Sequence, residues 1–363
     1  MNLATLSLGD YTSHQLRNLC KSCGTDDSVE TLITLLRELL GPVGDRALSA
    51  PALWPSYVSD DMTPVEFSIT FDENGNHMIR TLVEAIAEEP SNRSNARVAL
   101  QTINSLADRY QLFLDRFHVV HDLFLPEQPQ GQFALWCSLI ARPNSRPGFK
   151  VYFNPDAQGP ARAPQLVAEA FRRLGFDRAY EIATEHAVQR GGLDRFAYFA
   201  VDLDNDPRSR VKLYISHCGA ETKDLERAAS AAHGVDLTRI RDFCSLIGGG
   251  SGPFIGRPLL SAYTFVEGDF DRPSVYSLYL PIRDYVGDDE AARARVVTLM
   301  KQHSLNPAVL DYALTAISRR SLSDGVGLIP YVSMSLGKIR QGTTVYLSSE
   351  AYGVTPPRKV GVH

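Results

Sequence analysis

Four basic side chains and four phenols recur at one phase of strand-like segments in this chain. The motifs are Lys150-x-Tyr152, Arg210-x-Lys212-x-Tyr214, Ser277-x-Tyr279 and Thr344-x-Tyr346, and Arg80 occupies a further segment of the same kind. A strand sends alternate side chains to opposite faces. One face of these segments is therefore cationic and phenolic, and the other is Val, Leu, Ile and Phe. Cations gathered in a poorly hydrated space repel strongly, and these strands offer few carboxylates at the inward phase. A polyanion such as a diphosphate would compensate, with Arg giving paired donors and Lys point charges. The plainer alternative is that the cations reach a barrel mouth and meet water. Aromatic faces stabilise a cation by roughly 0.5–2 kcal/mol, and a ring of Tyr152, Tyr214, Tyr279 and Tyr346 would also exclude water. The combination suits a reaction in which a diphosphate leaves and a carbocation survives to meet a carbon nucleophile. Tyrosine as mere barrel filling is the alternative.

Glu66, in Asp60-Asp61-Met62-Thr63-Pro64-Val65-Glu66-Phe67-Ser68, shares the phase of Ser68 and Thr70. A lone inward carboxylate facing a cationic cluster can hold the N–H of an electron-rich heteroaromatic ring and raise its electron density in the transition state. A salt bridge to Arg80 across the same hairpin is the competing assignment.

These residues need elements to position them. Five hairpin-like segments, Val65–Glu84, Phe133–Pro155, Phe196–His217, Leu259–Ile282 and Leu328–Ser349, start about 63 to 69 residues apart. Asn74-Gly75 is a strong hairpin turn signal in the first. Helical sequence lies between them. Leu32, Leu35, Leu36, Leu39 and Leu40 mark a helix over residues 10–41, and Ser94–Phe117 carries Leu100, Ile103, Leu106, Tyr110 and Leu114 on one face. Pro164–Leu174 is shorter, with Pro in an acceptable first-turn position and Gly175 as its stop. Leu225–Ile247 is periodic but interrupted at Gly234. Glu290–His303 and Asn306–Arg319 form the last pair, with Asn306 as cap and Pro307 following. The tail after Glu350 is expected to fray. Ten strands with one charged face cannot lie flat with unpaired edges. Closure removes the edges and makes a lumen. The expected fold is α+β: a closed ten-stranded antiparallel barrel with a solvent-filled lumen, ringed by helices in five ααββ repeats, forming a single domain over residues 1–363. Val151, Phe153, Val211, Leu213 and Ile215 would face the helices.

The chain has 363 residues, with 44% hydrophobic and 22% charged residues and a formal net charge of −5. Acidic balance argues against a nucleic-acid partner. The absence of an apolar run of spanning length argues against a membrane. The N-terminus lacks the pattern of an export signal. The five cysteines fit a reducing cytoplasm better than a disulfide framework. Cys20 and Cys23 form a lone CxxC without the further ligands of a zinc site. Gly248-Gly249-Gly250-Ser251-Gly252 lacks the Lys-Ser/Thr of a phosphate loop and is expected to be a flexible connection. His118 and His121 offer no third ligand, and Ser and His occur without a nucleophile elbow. Asp202, Asp204 and Asp206 fit a hairpin turn better than a metal site.

In order and number, SDDMTPVEFS, KVYFNP, RVKLYISH, TVYLSS and LSDGVGLIPY resemble the aromatic prenyltransferases with the ααββ barrel, of the dimethylallyltryptophan synthase type, nearest the bacterial tryptophan-acting branch. The resemblance runs from about residue 10 to Tyr352. It implies that Arg80, Lys150, Arg210 and Lys212 hold the diphosphate of dimethylallyl diphosphate. Tyr152, Tyr214, Tyr279 and Tyr346 would shield the allyl cation and contact the diphosphate, and Glu66 would take the indole N–H. The implied reaction alkylates an indole ring carbon of tryptophan or a small derivative, without Mg²⁺ or another cofactor. Other aromatic acceptors are the alternative within the class, and a non-catalytic carrier of an anionic isoprenoid-like ligand is the alternative outside it. Partners are the two substrates, with the protein a monomer or homodimer. Some relatives carry Gln where this chain has Ser277. Some use a Lys as proton acceptor on the strand Phe133–Ile140, which has none here. Trp136 on that strand is a candidate for the aromatic pocket.

Overall fold

The computed structural model describes residues 6–72, 75–337 and 341–358. Its centre is a closed antiparallel barrel of ten strands. The strands are β1 (Val65–Asp72), β2 (His77–Glu84), β3 (Leu135–Ala141), β4 (Gly148–Phe153), β5 (Asp194–Asp202), β6 (Val211–His217), β7 (Leu259–Phe265), β8 (Val275–Leu280), β9 (Val332–Gly337) and β10 (Gly342–Ser348). Each pairs with its sequence neighbour, and β1 closes on β10 with Glu66 opposite Ser348 and Ser68 opposite Tyr346. Closure leaves no strand edge unpaired. All five expected hairpins are present. In the first turn Gly75 has φ 78, which a glycine adopts without strain; Asn74 lies outside the described residues.

A helix pair precedes every hairpin. The helices are α1 (Leu8–Ser22), α2 (Val29–Leu40), α3 (Asn92–Tyr110), α4 (Asp115–Phe124), α5 (Ala163–Arg173), α6 (Asp177–Ala187), α7 (Thr222–Ala229), α8 (Leu237–Phe243), α9 (Asp289–Gln302) and α10 (Ala308–Ile317). Three expected helices are each two. Residues 10–41 break near Gly24 (φ 63), Ser94–Phe117 breaks at Gln111 (φ 54), and Leu225–Ile247 breaks around Gly234 (φ 66). Periodicity continued through these short breaks, so the apolar pattern alone concealed them. Helix α6 gave no pattern because its buried face is Ala179, Ala183 and Ala187. Ser7, Ser91 and Asp288 cap α1, α3 and α9 by accepting from backbone N–H groups at 3.1, 3.0 and 2.8 Å.

The outer face of the barrel is the core. Phe67, Ile69, Val151, Phe153, Val211, Leu213 and Ile215 are buried there in one cluster with helix residues such as Leu36, Ile103 and Phe171. Each such side chain contributes roughly 1.5–3 kcal/mol of burial free energy. A polar chain crosses this layer: Asp194 Oδ1 lies 2.7 Å from His217 Nδ1, His217 Nε2 lies 2.8 Å from Ser261 Oγ, and Ser261 Oγ lies 2.8 Å from Tyr276 OH. Ser261 is fully buried, so this Ser–His–Asp set is a structural staple that no substrate reaches.

The tail does not fray over its described part. Asp61 Oδ2 accepts from Tyr352 N at 2.9 Å and Gly353 N at 3.3 Å, Thr355 O accepts from Val326 N at 2.9 Å, and Arg358 N donates to Gly287 O at 2.7 Å. Composition suggested a loose end, but the backbone groups find fixed partners. The Gly248–Gly252 connection is packed at its first residue, where a Cβ at Gly248 would come 2.5 Å from the Phe254 ring, and exposed further along.

Candidate active site

The inward phase of the strands brings the expected residues together. One cavity in the lumen is lined by Glu66, Arg80, Lys150, Tyr152, Arg210, Lys212, Tyr214, Ser277, Tyr279 and Tyr346, together with small hydroxyl residues. Register explains the convergence. Ser138 faces Lys150, Trp136 faces Tyr152, Tyr198 faces Tyr214, and Lys212 faces Thr264 across adjacent strands.

The tyrosines form an arc. Ring centroids are 6.0 Å apart for Tyr152 and Tyr214, 5.6 Å for Tyr214 and Tyr279, and 5.7 Å for Tyr279 and Tyr346. Lysine ammonium groups lie against them. Lys150 Nζ is 5.1 Å from the Tyr152 ring centre, Lys212 Nζ is 5.0 Å from that of Tyr214, and Lys212 Nζ donates to Tyr279 OH at 3.4 Å. Burial pushes the Tyr152 phenol up to about 12 and the Tyr214 and Tyr346 phenols well above their ordinary value. All three stay protonated and can donate hydrogen bonds to an anion. Ser277 Oγ lies 2.8 Å from Ser335 Oγ across β8 and β9.

Glu66 lies at the junction of this cavity and a second one. It makes no ion pair with any described residue, so the Arg80 bridge does not form. Burial pushes its carboxyl up to about 8, against the opposing pull of Arg257. The second cavity is lined by Tyr57, Val58, Trp136, Tyr198, Arg257, Tyr331 and the tyrosine arc. Trp136 stacks on Phe133 with ring centres 3.9 Å apart and lies 5.5 Å from Tyr198. Arg257 donates to Asp60 at 2.5 Å through its side chain and to Asp284 at 2.7 Å through its backbone N–H. Ser56 donates to Glu84 at 2.6 Å, tying the loop before β1 to the end of β2.

The residue pattern missed several members. An inward carboxylate does stand among the cations. Asp202 accepts from Arg210 Nε at 2.6 Å and Nη2 at 3.2 Å, and lies 3.8 Å from Lys150 Nζ. Burial pushes its carboxyl up, but Arg210 and Lys150 outweigh this and hold it well below the ordinary range. The expectation of a turn-only Asp202 is corrected: Ala200 and Asp202 continue the inward phase of Tyr198, whereas Asp204 and Asp206 lie in the connection to β6, Asp206 accepting from Arg208 N at 2.8 Å. Arg142 continues the inward phase of Ile140 past the end of β3 and shares the field of Arg210 and Arg80. Arg257 precedes β7 in irregular backbone, where a strand period carries no information.

Among the described residues no group of three His, Cys, Asp or Glu could hold a metal ion, and no helix is long and apolar enough to cross a membrane. Cys23, Cys137, Cys218 and Cys244 are free thiols.

A closed ααββ barrel enclosing a cationic, phenol-rimmed pocket beside an aromatic one defines the class of barrel prenyltransferases. The chain belongs to the tryptophan dimethylallyltransferase family, whose model matches residues 12–313. It is similar to the crystal structure of 6-dimethylallyltryptophan synthase from Micromonospora olivasterospora in complex with DMASPP and Trp, at 47% identity and TM-score 0.93, covering 97% of this chain and 100% of that one. It is also similar to 5-dimethylallyl tryptophan synthase from Streptomyces coelicolor in complex with DMASPP and Trp, at 36% identity and TM-score 0.90, covering 99% of each chain. Deoxybrevianamide E synthase from Aspergillus versicolor is 25% identical over 194 residues, 46% of this chain and 44% of that protein.

Proposed function

We propose that this protein transfers a dimethylallyl group from dimethylallyl diphosphate to a ring carbon of tryptophan. The observation that carries the reading is the tyrosine arc with Glu66, shared by a cationic cavity and an aromatic one. Arg80, Lys150, Arg210 and Lys212 bind the diphosphate, and the protonated phenols add neutral donors. The allylic C–O bond breaks, its electron pair leaving with the diphosphate oxygen. The carbocation then lies against the Tyr152, Tyr214, Tyr279 and Tyr346 rings, which favour it by their faces. Indole stacks in the Trp136 and Tyr198 cavity with its N–H donated to ionised Glu66. That interaction strengthens as positive charge develops on the ring during attack. Glu66, water or the released diphosphate then takes the ring proton, and aromaticity is restored. Arg257 suits the amino-acid carboxylate because it is the cation that lines the aromatic cavity.

We assign the attachment point to ring carbon 6. The 6-dimethylallyltryptophan synthase shares 47% identity and the 5-dimethylallyl tryptophan synthase 36%, and attack position follows the seating of the ring. The positive side chains supply the charge that stabilises the leaving group, so turnover needs no added metal. The one barrel acts as a single domain, with the cytoplasm its compartment.

The test is incubation with tryptophan and dimethylallyl diphosphate in EDTA. Expected is a product heavier by one five-carbon unit, attached at carbon 6 by NMR. Tight donor binding without product would instead support a carrier. Product at another carbon would overturn the position alone.

A further inference from the structure

We infer that Asp202 is a built-in counter-charge of the donor cavity, one that limits its affinity for diphosphate and so lets the leaving group depart; this rests on reading that cavity as the diphosphate site. Asp202 sits opposite Lys150 in the sheet register. Its Oδ2 accepts from Arg210 Nε at 2.6 Å and from Arg210 N at 3.1 Å, and Oδ1 lies 3.8 Å from Lys150 Nζ. The side chain is only 4% exposed, so solvent screens little of its charge. Arg80 and Arg142 stand in the same field.

The chemistry gives this carboxylate a purpose. When the allylic C–O bond breaks, the electron pair stays on oxygen, and the free diphosphate carries one more negative charge than the ester it came from. A purely cationic cavity would therefore hold its product more tightly than its substrate. A fixed carboxylate touching two of the cations lowers the potential at every diphosphate oxygen. The effect scales with ligand charge, so it weakens product more than substrate. The same contacts keep Arg210 and Lys150 in place while the barrel is empty.

The test titrates the full-length protein with inorganic pyrophosphate in EDTA by calorimetry, comparing the parent with Asp202→Asn, Asp202→Ser and Lys212→Ala. Asparagine retains an oxygen for the Arg210 N–H groups while losing the charge. Expected for both Asp202 variants is pyrophosphate binding at least tenfold tighter, a lower KM for the allylic diphosphate and a lower kcat. A purely structural role would weaken binding instead. Unchanged or weaker binding in folded Asp202 variants, alongside weakened binding in Lys212→Ala, overturns the counter-charge alone. Unchanged binding in Lys212→Ala overturns the diphosphate site and the inference with it. Failure of both Asp202 variants to fold assigns the residue to the fold and also overturns the inference.

Discussion

The two halves of the lumen are built by different means. The donor half takes its cations and phenols from β2, β4, β6, β8 and β10, the second strand of every hairpin, with Arg210 directly before β6, so one structural repeat delivers the whole set. The acceptor half borrows from irregular segments: Tyr57, Val58 and Asp60 from the loop before β1, Arg257 from the connection before β7, and Pro330 and Tyr331 from the entry to β9. Strand geometry holds side chains at a fixed pitch and depth, which fits an invariant leaving group. Loops can change length and aim without disturbing the ladder, which fits the part of the reaction that differs among relatives alkylating different ring carbons.

Glu66 stands on the border, and its loss should have the largest effect. Glu66→Gln keeps the shape but removes the charge, and kcat should fall about 10²–10³-fold with little change in pyrophosphate affinity. A parent-like rate would remove the carboxylate from the mechanism. The pH profile sharpens this. The raised value of about 8 in the empty barrel leaves the carboxyl protonated at neutral pH. A neutral carboxyl offers the indole N–H only an uncharged acceptor that gains little as positive charge develops on the ring, so kcat/KM for tryptophan should climb as pH rises through about 8 and be flat over that range in Glu66→Gln. Stability moves the opposite way. The folded value lies above the unfolded one near 4.5, so the folded state loses stability as pH rises from there to about 8. Glu66→Gln should therefore gain thermal stability over the parent at pH 9 and not at pH 4, checked by melting both across that range.

Lys212→Ala tests the donor half alone. Losing a charge-assisted hydrogen bond costs about 1.5–3 kcal/mol, so pyrophosphate Kd should rise about tenfold or more while tryptophan affinity stays put. Arg257→Gln tests the acceptor half, and here KM for tryptophan should rise about tenfold with donor KM unchanged. Tryptamine, which lacks the carboxylate, should be used equally well by parent and variant. If Arg257→Gln shifts both substrates alike, the division between the halves fails.

The donor half was legible in the sequence because a period of two reports which residues share a face. Arg80, Lys150, Arg210, Lys212 and the four tyrosines needed nothing more than phase. Asp202 and Arg142 obey the same phase, but they sit at strand ends, where a run of alternating Asp reads as turn chemistry. Arg257 and Tyr331 could not be placed by periodicity, since the backbone around them is irregular. Helix α6 escaped because alanines bury well while giving a weak apolar signal. The tail was misjudged for a related reason: its partners, Asp61, Val326 and Gly287, are remote in sequence.

That tail bears on how the acceptor half keeps its shape. Asp61 Oδ1 accepts from Thr63 N at 3.1 Å and Oδ2 from Thr63 Oγ1 at 2.7 Å, while Oδ2 also takes the N–H groups of Tyr352 and Gly353. The neighbouring Asp60 pairs with both Arg257 and the buried Arg283, and Arg283 Nη2 donates to Thr355 Oγ1 at 3.3 Å. The loop lining the aromatic cavity is thus tied to the tail on two successive residues. Asp61→Ala removes one of these ties without touching any cavity wall. Backbone N–H groups left without a partner cost about 1–3 kcal/mol when buried, but this site is partly open to water, so the smallest effect is expected here. KM for tryptophan should rise a few-fold with donor KM unchanged, and product should spread to a neighbouring ring carbon as the indole seats less firmly. Unchanged KM and a single product would show that the loop holds its form without the Asp61 tie, leaving the Asp60–Arg283 contact and the Ser56–Glu84 hydrogen bond as its anchors.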